Sequence, residues 1–391
     1  MMLCSLKIYG VSGFGQLQLL FGFTAFFNSV ATFGAPSIAA GKVSGNKESL
    51  LNLGVRISII ELLRFSSLNY LIIISLWFAA RFHIPFFGNL SALNVKTISI
   101  VFVFGFVFQG NLLLLNILNA LDMPNQMIKV SMVRIIGTLV SSAFAFFFVY
   151  EINYFLVLLV IWEVTIFAYQ VLFIEVFKWI PRVGSMRGQV KFVEYFEWIW
   201  NVRYQAVAGV LVAFSSLLIQ NFLTVNQGSY ENGMYNLVIR LTALFILPLS
   251  IVNLTIFSRS SELLLPQTSK ILINRYFWNS STYTVFVFSL FVISFALTRR
   301  PNNIELLFSG CLFMLSMSLN TFSSNILIAT QRLREWAYSD LYLGSLCIAQ
   351  TLVFTQFRAL TVPSSLQVMS IAMLYSSFYS FHRIRKNSQI E

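Results

Sequence analysis

Residues 154–178 read YFLVLLVIWEVTIFAYQVLFIEVFK, and Glu163 is the only charged side chain before Glu175. A run this long and this apolar has one dominant solution. It forms a helix, satisfies its own backbone, and crosses the ~30 Å hydrocarbon core of a bilayer. Runs of the same kind recur near 15–39, 53–80, 98–120, 128–150, 202–224, 233–258, 277–298, 305–330, 336–358 and 364–382, which makes eleven in all. Breaker-rich stretches such as GKVSGNKES, HIPFFGN, DMPNQ, NQGSYENG, RRPNN and TVPSS separate them. A β-barrel is excluded, because barrel strands are runs of about 10 residues that alternate in polarity. The composition agrees: 57% of residues are hydrophobic and 10% charged, against roughly 25% charged in a soluble domain. The expected class is an all-α polytopic membrane protein with about eleven transmembrane helices.

Basic residues set the expected orientation. Lys42, Lys47, Arg56, Arg64, Lys129, Arg134, Lys178, Arg182, Arg187, Lys191, Arg203, Arg259, Lys270, Arg275, Arg332, Arg334, Arg383, Arg385 and Lys386 lie toward one side. Only Lys7, Arg81, Lys96, Arg299, Arg300 and Arg358 lie toward the other. The positive-inside rule places the richer set, and the C-terminus, in the cytoplasm. The net charge of +12 is then a topology signal beside anionic lipid. It does not point to nucleic acid, since no basic cluster interleaved with aromatics lies outside the spans.

The long connection 179–201 divides the chain into a lobe at 1–178 with five spans and a lobe at 202–391 with six. Within it, QVKFVEYFEWIWNVRYQ places Val190, Val193, Phe196 and Trp200 toward one helical face and Lys191, Glu194 and Glu197 toward the other. That pattern predicts an interfacial helix on the cytoplasmic surface. The competing reading makes it the first turns of the next span.

Chemistry-bearing motifs are absent from the sequence. YGVSGFGQLQLL, residues 9–20, has glycines but no preceding strand and no acid about 20 residues on, so it is a turn before a helix and not a nucleotide loop. No H-E-x-x-H, G-x-S-x-G or P-loop occurs. Cys4, Cys311 and Cys347 have no C-x-x-C spacing, and His83 and His382 are far apart, so neither a disulfide framework nor a metal site is expected. The expectation is a transporter with no catalytic residues, no metal and no cofactor.

Charged groups inside spans are the candidates for function, because they are costly there and face a cavity or a partner. Arg240 lies inside 233–258 and either binds an anion or snorkels to the interface. Arg64 is one turn from Glu61, so the two can neutralise each other. Arg134 and Arg203 lie near cytoplasmic helix ends and are further candidates. Glu163, at mid-span, needs an arginine partner or a proton. Asp340 can pair with Arg332 or Arg334, and Asn111, with Asn116 and Asn119, begins a polar stripe for sugars or for interhelical bonds.

YGVSGFGQLQLLFGFTAFFNSVATFGAPSIAAGKVSGNKESLLNL resembles the segment after the first helix of Wzx-type polysaccharide flippases. LTVNQGSYENGMYNLVIRLTALFILPLSIVNLTIFSRSSELL and QRLREWAYSDLYLGSLCIAQ extend the resemblance over the chain. It implies the two-lobed MATE/MOP-like fold shared with multidrug antiporters and the lipid II flippase. It also implies translocation of undecaprenyl-diphosphate-linked O-antigen repeat units by alternating access through a cationic cavity. Polymerase and chain-length proteins of the same pathway would be partners. Arg240, Arg64, Arg203, Arg134 and Asn111 would then contact substrate, and Glu163, Glu61 and Asp340 would couple or form ion pairs. The family has twelve helices, so the usual first helix is expected to be missing, through an upstream start or a degenerate frame. An O-antigen polymerase or ligase, or a multidrug-type antiporter, are the alternatives. The short periplasmic loops disfavour the enzymes.

Overall fold

The computed structural model describes residues 2–32, 95–120, 124–148, 152–173, 192–258, 304–329, 332–357 and 360–387, with isolated helical positions between 274 and 289. Every element among these residues is helical: α1 (Met2–Thr32), α2 (Val95–Ala120), α3 (Pro124–Phe148), α4 (Ile152–Phe173), α5 (Phe192–Gln227), α6 (Ser229–Ser258), α7 (Ile304–Ala329), α8 (Leu333–Gln356) and α9 (Val362–Asn387). The all-α expectation holds. The expected span 53–80, with Glu61 and Arg64, lies outside the described residues, and 277–298 is described only at scattered positions.

These helices have membrane dimensions. The shortest has 22 residues and the longest 36, which is about 33 to 54 Å at 1.5 Å per residue. Among the described residues, Arg203–Gln227 and Ile304–Leu327 are each long and apolar enough to cross a membrane unaided. The outer face of α3 carries the same message. Ile128, Met132, Ile135, Ile136, Leu139, Val140, Phe144 and Phe147 are all exposed, at helical spacing. Water would penalise such a stripe, whereas hydrocarbon accepts it.

Three local features depart from the sequence reading. In α1 only Gly10 leaves helical geometry (φ 65°, ψ −176°), while Gly13 and Gly15 stay helical. The expected glycine turn is therefore one kinked residue. The expected loop NQGSYENG also shrinks to a single residue, Gly228, whose φ of 94° only glycine adopts cheaply. Gln220 and Asn236, eight positions either side of Gly228, come within 3.5 Å, so the chain folds back there. Finally, Phe192 begins a helix that runs unbroken to Gln227. The described part of the expected surface connector is therefore continuous with the helix of the next span, whose apolar stretch begins at Arg203. Nothing between Phe192 and Ala208 breaks a helix.

The chain divides into two compact units, Met1–Ala206 and Val207–Glu391. In the first, α4 packs most extensively on α2, and α3 on α4, with α1 against α2 and α3. Leu17, Leu20, Val101, Phe155, Leu156 and Leu159 fill the space between α1, α2 and α4. In the second unit α9 is central, packed on α7, α8 and α6. Its core includes Ile219, Leu223, Tyr235, Phe313, Leu343, Cys347, Leu366 and Met369.

The α7–α8–α9 contact is lined by small polar residues. Ser309, Ser316 and Ser323 repeat every seven positions on α7 and are fully buried, as are Ser370, Ser376 and Ser380 on α9. Small side chains let membrane helices approach closely. Three of these six hydroxyls bond back to their own helix: Ser316 to the Phe313 carbonyl, Ser323 to Asn320 and Ser370 to Leu366. The other three reach across: Gln367 of α9 donates to Ser309 of α7 at 3.0 Å, and Ser376 and Ser380 bond to neighbouring helices. Ser339 of α8 lies 2.6 Å from Ser376 and 2.8 Å from Ser380, and Ser376 donates to Asn320 Oδ1 of α7 at 2.9 Å.

Candidate functional site

The first unit buries a charged cluster at mid-helix. Glu163 is eleven residues into α4 and Arg134 ten residues into α3, each about 15 Å from its helix start. An isolated carboxylate at that depth would be prohibitive, so it must be paired and hydrogen-bonded. Arg134 Nη2 donates to Glu163 Oε2 at 3.2 Å. Asn111 of α2 donates from Nδ2 to the same oxygen at 2.6 Å and to the Glu163 backbone carbonyl at 2.9 Å. Gln170, two turns along α4 on the face of Glu163, donates to Asn111 Oδ1 at 3.3 Å. The Arg134 guanidinium also lies 5.4 Å from the Phe108 ring centre, a cation–π contact.

The walls of this cluster are tight. A Cβ on Gly137, one turn beyond Arg134, would occupy the space of the Trp162 indole, and one on Gly110 would meet Phe167 at 3.1 Å. Glycine at these points is what lets α3 and α2 close on α4. Arg134 Nε, Trp162 Nε1 and Gln170 Oε1 are enclosed without a partner. The cluster therefore contains two donors and one acceptor that a water molecule or a small polar group would satisfy. Chemically it is a neutralised, hydrogen-bonded knot joining three helices.

The other candidates lie elsewhere. Arg240 is exposed on α6, eleven residues from its start, and it is the only basic residue on that helix. The only acid of α6, Glu231, is nine residues away. Arg203 lies over the Tyr204 ring at 4.6 Å and donates to its hydroxyl at 3.4 Å. Asp340, on α8, is half-buried. Arg332 donates to the Arg383 carbonyl and Arg334 to the Tyr338 hydroxyl. Thus Asn111, Arg134 and Glu163 come together in the first unit, where Arg203 has other contacts; Arg240 and Asp340 belong to the second unit, and Arg64 and Glu61 lie outside the described residues. Among the described residues no three His, Cys, Asp or Glu side chains gather as metal ligands. Sequence reasoning missed Gln170 and Trp162, although the seven-residue step from Glu163 to Gln170 marks a common helical face.

No family model matches the sequence, and no curated protein matches it significantly. Solved structures do match. An outward-facing multidrug resistance MATE family transporter of the MOP superfamily is 12% identical, with 99% of this chain and 91% of that one covered at a TM-score of 0.63. An inward-facing form of a MATE family transporter is 10% identical, covering 100% and 92% at a TM-score of 0.59. A MOP superfamily transporter from Pyrococcus furiosus, described as having a binding pocket of reverse polarity that suggests a different function, is 13% identical, covering 99% and 90% at a TM-score of 0.63. At this identity the likeness establishes the fold: the chain has the helical architecture of MATE/MOP transporters. Together with its apolar helices, that makes it a multi-pass membrane protein.

Proposed function

We propose that the protein translocates a lipid-linked oligosaccharide carried on undecaprenyl diphosphate, by alternating access, and performs no covalent chemistry. The observation that carries this reading is Arg240. A guanidinium about 16 Å along an apolar helix is tolerated only where water, a cavity or an anion receives it. Its positive charge and its exposure on α6 suit a diphosphate better than a cationic drug. The resemblance to Wzx-type flippases supplies the class of that cargo.

Arg134 takes a different part in this reading. Its terminal amine and the Asn111 amide are committed to Glu163, so it braces α2, α3 and α4, while the substrate diphosphate is assigned to Arg240. The test is complementation of a strain lacking its own flippase, scored by surface polysaccharide. Restoration by the native chain and its loss with Arg240→Ala support the proposal. Export of cationic drugs with no restored polysaccharide would assign the multidrug-type activity instead.

A further inference from the structure

Two rows of residues at four-residue spacing face each other across α8 and α9. On α8 the row is Arg334, Tyr338 and Tyr342; on α9 it is Tyr375, Tyr379 and Arg383. The Tyr342 ring centre lies 5.0 Å from that of Tyr379 and 5.9 Å from that of Tyr375, the latter edge-on. Both arginines are held at the same end. Arg334 donates to the Tyr338 hydroxyl at 3.3 Å, and Arg383 donates from Nε to the Tyr379 hydroxyl at 3.2 Å with its guanidinium 5.3 Å from the ring. On the buried side of the same helix pair, Ser339 bonds to Ser376 and Ser380, which fixes this register. Tyr342 and Tyr375 are nevertheless 44% and 54% exposed.

We infer that this face docks the diphosphate-linked saccharide head of the substrate before the head passes to Arg240, with phosphate at the arginines and sugar rings on the tyrosines; the inference rests on the function proposed above. Guanidinium forks match phosphate oxygens, and the tyrosine contacts hold them in place before any ligand arrives. Exposed tyrosine faces offer flat apolar area to the C–H side of a sugar and a hydroxyl to its polar side. The acids of α8, Glu335 and Asp340, fall off the row. An interfacial aromatic belt places rings at headgroup depth only. Here the row runs about 12 Å inward from each arginine, eight residues along the helix. That depth selects a head with several sugars over a phospholipid headgroup.

The full chain in lipid nanodiscs supplies the test, with two probes: bare polyprenyl diphosphate, and the same diphosphate carrying a disaccharide. Tyr342→Ala and Tyr375→Ala should each weaken the glycosylated probe about fivefold, the scale of one lost aromatic contact, and leave the bare one unchanged. Arg334→Gln with Arg383→Gln should weaken both probes. Melting temperatures, with Tyr342→Phe as a control that keeps the ring, identify any variant that has lost its fold. Equal effects of the tyrosine changes on both probes, or full displacement of the glycosylated probe by phosphatidylglycerol, would overturn the inference. If Arg240→Ala abolishes translocation while both tyrosine variants bind and transport normally, the docking face fails and the function stands. If the native protein binds neither probe, the function itself fails, and this inference with it.

Discussion

Asn111 and Glu163 are joined twice: one amide nitrogen donates to both the carboxylate and the backbone carbonyl of a residue two helices further along the chain. The amide thus ties the orientation of the Glu163 side chain to the backbone of α4. Arg134 completes the neutralisation from a third helix.

Removing one member of that knot should cost more than removing the charge from both. Glu163→Ala strands a mostly buried guanidinium, and breaking such a pair from one side costs about 3–5 kcal/mol. Glu163→Gln with Arg134→Gln should be markedly milder. Thermal melting in detergent, arranged as a double-mutant cycle, reads the difference. Purely additive losses would show that the two side chains do not interact.

Gly137→Ala should destabilise the first unit by about 1–3 kcal/mol, the usual cost of overpacking. The added methyl has to displace the Trp162 indole, which adjoins Glu163 in sequence. Trp162→Leu in the same background should recover part of the loss. If Gly137→Ala melts at the native temperature, the contact between α3 and α4 is looser than described.

In the second unit, Gly344 is the equivalent point. A Cβ there would come within 2.8 Å of Leu211 Cβ and 2.9 Å of the Leu211 backbone carbon. Gly344→Val should therefore impair assembly far more than Gly209→Val, because a Cβ on Gly209 meets nothing within 4 Å. Relative yields of folded protein after detergent extraction compare the two.

Arg240→Ala should reduce transport more than tenfold, as expected when a charged hydrogen bond of about 1.5–3 kcal/mol is lost. Arg240→Lys keeps the charge without the two-pronged geometry and should retain partial function. Surface polysaccharide normalised to protein level is the measure. Normal polysaccharide with Arg240→Ala would return the residue to an interfacial anchor.

Much of the helical fold was legible in the sequence, because hydrocarbon imposes the same demand on every span: continuous apolar side chains and a self-satisfied backbone. Connections were harder. NQGSYENG has the composition of a loop, yet polar residues can continue a helix where water reaches them, and only Gly228 breaks it. The amphipathic pattern after Lys191 was compatible with a surface helix, but periodicity does not report whether a helix then stops. Glu163 was recognisable as a group in need of a partner; which arginine met it depended on helix packing that no spacing encodes. The rows at 334, 338, 342 and at 375, 379, 383 were visible in the spacing, but their meeting depended on how α8 returns into α9.

The serine-lined contact of α7 with α9 has a mechanical consequence. Hydroxyls that bond to their own helix, as those of Ser316, Ser323 and Ser370 do, ask nothing of the neighbour, so sliding one surface past the other does not break their bonds. Ser309 with Gln367, and Ser339, Ser376, Ser380 and Asn320, are different, because their bonds cross between helices and would have to be exchanged. The second unit thus contains a sliding surface pinned at two levels, at Gln367 and at Ser376 with Ser380, and the second pin sits directly behind the tyrosine rows.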